Sequence, residues 1–396
     1  MSAFRLCAYD NLDQLSALRP AWDELLLQYP QATTFSTCEW LASWWQSFGQ
    51  HRQLLFLALF DATSLIGLAP LSISTERFGP SSLRVLRMMG DGSNDSDNLD
   101  FPVRPGFEIT FVESLIAYLK KEKQKWDVAL LNTLPANTCV GTSLAKSLTS
   151  TWWTFFEYSS QCSAVTLPDS WDLYLQMLAS EDRKNLARYT RRLKGRYSVR
   201  ICRCTQEDEL PAYLDALFRL HQARWQASGE PGSFSSQARR EFYQLLSLRL
   251  LKRDCLELWA LELNGELAAV QFAFRHRDKV FQLQEGYDTQ RTPDRLGFVL
   301  RGAVLERLIS ENVRVYDFLG GEDSYKARWG SQAGHYRNLH FAPAFGVGAC
   351  WLQFVNKTSR GKNWLRENLP QSAWKLLHRA NVALQKTNTT GSQQPV

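Results

Sequence analysis

The chain has 396 residues, a net charge of +6, and 44% hydrophobic and 22% charged side chains. At roughly 100–200 residues per domain this fits two domains or one large duplicated domain, with ample apolar material for a core. No run of ~18 apolar residues offers a membrane span, and the opening MSAFRLCAYDNLDQL lacks the ~7–15-residue apolar stretch of a signal peptide, so a soluble, cytoplasmic protein is expected.

The first half opens with a Trp-rich helix over 37–49. Two apolar strands, QLLFLALF and LIGLAPLSIS, follow around an Asp-Ala-Thr-Ser turn. A polar loop, GDGSNDSDNLD (90–100), leads into a helix beginning at FEITFVES, and the buried strand WDVALLNTL (126–134) closes the half. Residues 160–200 then bridge to the second half, with PDSWDLYLQMLASEDRKNLARYTRRL as one long helical element whose apolar stripe is Leu173, Met177, Leu186 and Leu193.

The second half repeats the plan. Helices ending in HQARWQASGE and running through EFYQLLSLRLL precede strands LELWALEL and ELAAVQFAFR. Asn264-Gly265 between those strands is a strong hairpin signal. Strand KVFQLQEGYD, loop TQRTPDRLG, helix FVLRGAVLERLISE and strand VRVYDFLGG complete the half. Hairpins followed by a helix and one more buried strand imply a mixed sheet with a crossover. The expected fold class is α+β with a mixed α/β sheet, built as two units over 1–160 and 161–350. A basic helix is placed at about 170–197, and a helical extension with a polar, disordered tail at 351–396.

The charge is local. Residues 183–200 hold eight Lys/Arg and no acid, and without them the balance turns slightly negative. Such a run either meets an anionic ligand or is simply a solvated face. The 14 Trp suit broad clefts or plain packing. The eight cysteines include no CxxC pair and the six histidines are scattered, so no metal site is expected and reduced thiols are the simplest account.

Two stretches carry candidate chemistry. In GYDTQRTPDRLGFV a strand ends, a polar loop follows and Gly297 opens a helix. A helix N-terminus with Arg291 and Arg295 has the ingredients to grip a diphosphate, although one glycine and two arginines also arise by chance. In VYDFLGGEDSYKARWG the carboxylate of Asp317 precedes Gly320-Gly321, and Glu322, Asp323, Tyr325 and Lys326 follow. Asp317 could take a proton from an amine, and Lys326 could neutralise a phosphate or an oxyanion. The alternative is a turn in which Asp317 or Glu322 pairs with Lys326 or Arg328. No GxSxG elbow and no P-loop occur, which disfavours a hydrolytic triad. A direct transfer needing one base and positioning fits better.

The order Arg224-Trp225-x-x-Ser228-Gly229, LNGELAA (263–269), EGYD (285–288), LGFVL (296–300) and YDFLGGEDSYKARW (316–329) resembles one family. It is the bacterial acetyltransferase group of the GNAT superfamily that is related to Fem-type peptidoglycan aminoacyltransferases and described as cellulose- or exopolysaccharide-biosynthesis (BioF2-like) acetyltransferases. The resemblance implies tandem GNAT-like folds and an acyl-CoA-dependent N-acyltransferase with acetyl-CoA or another acyl-CoA as donor. It places the donor diphosphate on Arg291, Arg295, Leu296, Gly297 and Phe298, where one glycine stands in place of the usual glycine-rich loop. Asp317 or Glu285 would be the base with Lys326 nearby, and backbone amides of 260–264 or 266–270 would steady the thioester carbonyl. Arg224, Trp225, Tyr287 and Tyr325 would flank the acceptor, a small molecule or saccharide. Arg188 and Arg192 of the basic helix would bind an anionic group. Two alternatives stand beside it: a Fem-like transferase using aminoacyl-tRNA, whose RNA phosphates would meet the same helix, and a non-catalytic scaffold in polymer assembly.

Overall fold

The β2–β3 hairpin shows why the sheet forms: RQLLFLALFD over Leu54–Phe60 and SLIGLAPLSISTERF over Leu65–Ile73 are continuously buried, the pattern of strands covered on both faces. A computed structural model describes residues 4–78, 81–227, 229, 232–321 and 324–368. Ser228, Glu322, Asp323 and the tail from Gln385 lie outside these. The first half runs β1 (Phe4–Tyr9), α1 (Leu12–Ser16), α2 (Arg19–Gln28), α3 (Cys38–Phe48), β2 (Arg52–Asp61), β3 (Ser64–Phe78), β4 (Ser81–Met88), α4 (Glu108–Lys121), β5 (Val128–Pro135), α5 (Cys139–Leu148) and β6 (Trp153–Thr166).

The second half runs α6 (Trp171–Met177), α7 (Ser180–Lys194), β7 (Val199–Arg203), α8 (Leu210–Ala227), α9 (Gln237–Lys252), β8 (Leu256–Leu263), β9 (Glu266–His276), β10 (Lys279–Tyr287), α10 (Leu296–Ser310), β11 (Val315–Gly320), α11 (Ser324–Ala327), β12 (Gln332–Pro343) and α12 (Val347–Asn368). As expected, Asn264 and Gly265 join β8 to β9, both with positive φ (53° and 90°). The stretch expected as one long helix is two. Leu178 (ψ 151°) and Ala179 (ψ 142°) are extended and separate α6 from α7. Tyr174, Leu178, Leu186 and Leu193 are buried, whereas Leu173 and Met177 are 49% exposed, so the expected stripe is not continuous.

All twelve strands form one sheet in the order β1-β2-β3-β4-β5-β12-β6-β11-β10-β9-β8-β7. The halves exchange their last strands: β12 lies between β5 and β6, and β6 pairs with β11. The boundary expected at 160/161 therefore falls inside β6. Helices also join the halves. Trp40 of α3 meets Phe242 of α9 at 5.3 Å, Phe35 meets Phe274 at 5.4 Å, and Arg253 Nε donates to Glu39 at 2.8 Å. Trp22, Trp40, Trp44 and Trp126 are fully buried, so these four are core. Each such aromatic contributes roughly 4–6 kcal/mol of transfer free energy, as an upper bound.

Each half contains one parallel strand pair that touches briefly and then parts. β4 and β5 pair only from Val85–Val128 to Arg87–Leu130, and β10 and β11 only from Lys279–Val315 to Phe281–Asp317. In the first half the wedge is bridged by its own side chains. Arg87 pairs with Glu76 and Asp91, and Asn132 joins Asp91 (3.0 Å) to His340 (2.8 Å). In the second half the wedge stays open.

Candidate active site

Two irregularities open the second wedge. On β10 the ladder to β9 shifts register between Gln282 and Gln284, which leaves Leu283 as a bulge. On β11, Leu319 adopts φ 60°, a left-handed conformation that costs a side-chain-bearing residue ~1–2 kcal/mol. The surroundings hold it there. Asp317 Oδ1 accepts from the Leu319 N–H at 2.7 Å, and Asp97 Oδ2 accepts from the Gly320 N–H at 2.8 Å. Lys326 Nζ donates to the carbonyls of Leu319 (3.4 Å), Gly320 (2.7 Å) and Gly321 (3.2 Å). Glycine at 320 lets the Asp97 carboxylate approach closely, since a Cβ there would stand 3.2 Å from it.

The resulting cavity measures about 350 Å³ and is lined by β10, the end of β11, α8 and the 90–100 loop of the first half. That loop occupies, in the first half, the position of the TQRTPDRLG loop in the second: each follows the first strand of a parting pair and leads to the crossover helix. Asn94, Asp95 and Asp97 enter the second wedge from it. Asp95 is fully buried and bound to Arg239 (2.8 Å) and the Tyr243 hydroxyl (3.0 Å); burial, opposed by Arg239, pushes its carboxyl up to about 6. Burial also raises Asp97, against the pull of the Gly320 amide and Lys326. Asp317 stands behind the wall. Burial first, then the charge of Asp97, push it up to about 6, opposed chiefly by the Leu319 amide.

The sequence candidates fall into two groups. Glu285, Arg224, Trp225, Tyr325 and Lys326 line the cavity together. Glu285 Oε2 accepts from the buried Arg301 guanidinium and its Oε1 lies 3.6 Å from Arg224, so both oxygens face cations. Arg301 in turn lies over the rings of Tyr325, Trp329 and Phe318 at 5.0–5.8 Å. The Trp225 indole donates to His221 Nε2 at 3.0 Å, and burial with Arg224 nearby lowers His221 to about 4, leaving it neutral at pH 7. The Lys326 ammonium donates to the three carbonyls of the strand end described above.

The second group surrounds the start of α10. Arg295 has φ 55°, and no side chain caps the helix behind it. Gly297 packs on Tyr287, whose ring also lies 5.4 Å under Arg224. Leu296 is buried, and Phe298 packs on Trp329 at 4.6 Å. Arg291 pairs with Asp288 at 3.3 Å. The basic helix α7 docks on this loop: Arg192 reaches the Pro293 carbonyl and Asp294 (3.1 Å), Arg196 reaches Asp294 (3.3 Å), and Arg188 and Arg295 both bond the Tyr189 hydroxyl. An uncapped helix start exposes backbone N–H groups and a partial positive charge, which attract anions.

One expectation is corrected. The amides of 260–264 and 266–270 belong to β8 and β9, which are laddered to each other from Leu256–Phe274 to Leu263–Glu266, so the wedge is walled by β10 and β11 instead. The sequence reading also passed over Asp95 and Asp97. Their signal was the density of acids and glycines in a loop that the plan of the second half equates with the diphosphate loop. Among the described residues no cluster of His, Cys, Asp and Glu has the geometry to hold a metal ion, and no helix is long and apolar enough to cross a membrane.

Comparison with known proteins bears on the fold. Residues 180–327 match the sequence profile of the family described as acetyltransferase (GNAT) domain. No curated protein sequence matches the chain significantly. Among solved structures, FemX superposes with a TM-score of 0.58 at 10% identity, covering 89% of this chain and 99% of FemX. A conserved protein of unknown function from Bacteroides thetaiotaomicron gives 0.53 at 15% identity, with 86% and 99% covered. L-PGS from Bacillus licheniformis gives 0.50 at 10% identity, with 84% and 94% covered. At these identities the likeness is one of fold. The profile match lies over the half that holds the open wedge, so residues 180–327 carry a GNAT acetyltransferase domain, set in a duplicated mixed-sheet fold like that of FemX.

Proposed function

We propose that the protein is an acyl-CoA-dependent N-acyltransferase that acylates an amine on a small saccharide or envelope-polymer precursor. The observation that carries the reading is the wedge between β10 and β11, which part beyond Phe281 and Asp317 toward the strand end that leads into α10, and whose cavity is lined by Asp95, Asp97 and Glu285. The donor diphosphate lies on the amides at Leu296 and Gly297 with Arg295 and Arg188, and the acyl-pantetheine arm enters between the parting strands. The acceptor enters from the side of Trp225 and Asn94. Its ammonium form is attracted by Asp97 and Glu285, and Trp225, Tyr325 and Gln284 suit a sugar-like body.

In the transfer step the bound ammonium first gives one proton to the Asp97–Asp317 pair; the free amine nitrogen then forms a bond to the thioester carbonyl carbon, the carbon–sulfur bond breaks, and the second nitrogen proton goes to the departing CoA thiolate. The bulged Leu283 amide, outside the β9 ladder, is placed to receive the developing oxyanion. Glu285, held by Arg224 and Arg301, fixes the acceptor rather than taking the proton.

Calorimetric titration with acetyl-CoA, longer acyl-CoAs and free CoA tests this, with Arg295→Ala alongside. Micromolar binding weakened about tenfold or more in the variant supports the reading. No binding of any CoA species overturns it. The second reading, an aminoacyl-tRNA donor, draws on the basic face of α7 extending past the loop through Lys184 and Arg191, both exposed. Titration with charged tRNA follows in that event.

A further inference from the structure

Helix α10 has two working faces. Arg301 points to Glu285 and the cleft, whereas Val299, Gly302, Ala303 and Glu306 leave the helix on other sides, as ~100° per residue requires. With α6, α7 and β7 they bound a second cavity of about 600 Å³, within the roughly 300–1,000 Å³ of ordinary ligand sites. Its walls are apolar, with Trp171, Leu175, Leu186, Val199 and Ile201 prominent. Its position is built in: Gly302 lets Leu186 of α7 close one end, since a Cβ there would come within 2.6 Å of that side chain. The rim is basic. Arg183, Arg191 and Lys194 stand over it against the single acid Glu306. Arg183 donates to the Leu175 carbonyl at 3.4 Å, but Arg191 and Lys194 are exposed and have no ion pair among the described residues.

An apolar trough under unpaired cations selects its occupant by charge. A second copy of the chain would bring the same basic helix against this one. The segment 369–396 carries two Lys, one Arg and no acid, so the chain's own end is also repelled. We propose that the groove binds a dissolved single-chain anionic amphiphile, with its hydrocarbon chain along α10 and its carboxylate or phosphate head at Arg191 and Lys194. The site is separate from the donor cleft on the other side of the helix and stands whether or not the donor is an acyl-CoA. A sunken groove receives one chain, whereas adsorption to a bilayer would use the protruding Leu173 and Met177 of α6.

The probe is dodecyl phosphate below its micelle-forming concentration, titrated calorimetrically into the full-length protein. Dodecyltrimethylammonium and inorganic phosphate are the comparison arms. Ala303→Phe fills the groove, and the double variant Arg191→Glu, Lys194→Glu reverses its rim. Micromolar binding of dodecyl phosphate is expected, weakened about tenfold or more by either change, with no binding of inorganic phosphate or the cationic amphiphile. If Ala303→Phe does not fold by circular dichroism, Ala187→Trp on the exposed wall replaces it. No binding, equal binding of the cation, or binding indifferent to groove filling overturns the proposal. So does co-sedimentation with dioleoylphosphatidylglycerol vesicles that Ala303→Phe leaves intact while dodecyl phosphate fails to bind, which would make the face a membrane adsorber.

Discussion

Asp97 and Asp317 come from different halves of the chain and hold consecutive amides of one strand, Gly320 and Leu319, at 2.8 and 2.7 Å. The pair therefore does two things. It keeps Leu319 in a conformation that its side chain disfavours, and it sets one carboxylate of raised pKa, Asp97, at the cleft with a second, Asp317, behind its wall. Strain of this kind persists only when its surroundings over-determine it.

Asp97→Asn and Asp317→Asn separate the two roles, because an asparagine oxygen still accepts the amide hydrogen while the proton-accepting charge is gone. Each substitution should lower kcat by ~10²–10⁴-fold without lowering the thermal midpoint. Steady-state kinetics and thermal unfolding of the same preparations check this. Turnover retained with a lowered midpoint would leave the pair only its scaffolding role.

The pH dependence follows from the direction of the shifts. Asp317 sits at about 6 in the folded state, above the ordinary carboxylate value, because burial disfavours its charge. For catalysis the base must be ionised, so kcat/KM should fall on the acid side of about pH 6. For stability the sign is opposite. The contribution is fully present below the unfolded pKa of ~3.9 and is lost as pH rises through about 6, on the order of 3 kcal/mol at ~1.4 kcal/mol per unit. Urea unfolding at pH 7 and pH 5 should therefore show the wild type gaining stability relative to Asp317→Asn as pH falls.

Lys326 lowers both carboxylates and satisfies three carbonyls at the strand end. Lys326→Met should destabilise the protein by about 3 kcal/mol, since buried carbonyls lose their donor. It should also move the acid limb of kcat/KM to higher pH. A lowered denaturant midpoint with an unmoved acid limb would remove Lys326 from the electrostatics of the base.

Much of this was legible in the chain. The repeat of hairpin, helix and strand gave the tandem plan, Asn264-Gly265 marked its hairpin, and Asp317 through Lys326 stood out because a core strand needs no such ending. The exchange of β6 and β12 was not legible. WTFFEYSSQCSAVT and QAGHYRNLHFAP mix polar and apolar residues without clear alternation, and a pairing between residues 153–166 and 332–343 leaves no local signal. β4 was missed for a similar reason, its SSLRVLRM carrying two arginines. Asp97 escaped because its role exists only once a loop of one half reaches the cleft of the other. Arg188 and Arg192 of the basic helix are expected from the sequence to bind an anionic group, yet Arg188 is already tied to Asn185 and Arg192 to Asp294.

That last tie can be tested. Asp294 is 4% exposed and gathers Arg192, Arg196 and the Tyr197 hydroxyl, so one carboxylate docks the basic helix onto the donor loop. Asp294→Ala should free α7 from the start of α10 and misplace Arg188 and Arg295, which meet at Tyr189. The expected outcome is about tenfold weaker binding of acyl-CoA with kcat at saturating donor little changed, the pattern of lost ground-state binding. Faster proteolytic cleavage between α7 and β7 should accompany it, because the helix loses its anchor. Calorimetry and a protease time course check the two parts. Tighter donor binding in the variant would mean that Asp294 competes with the phosphates for the same arginines, and the loop would then gain cations by losing its own acid.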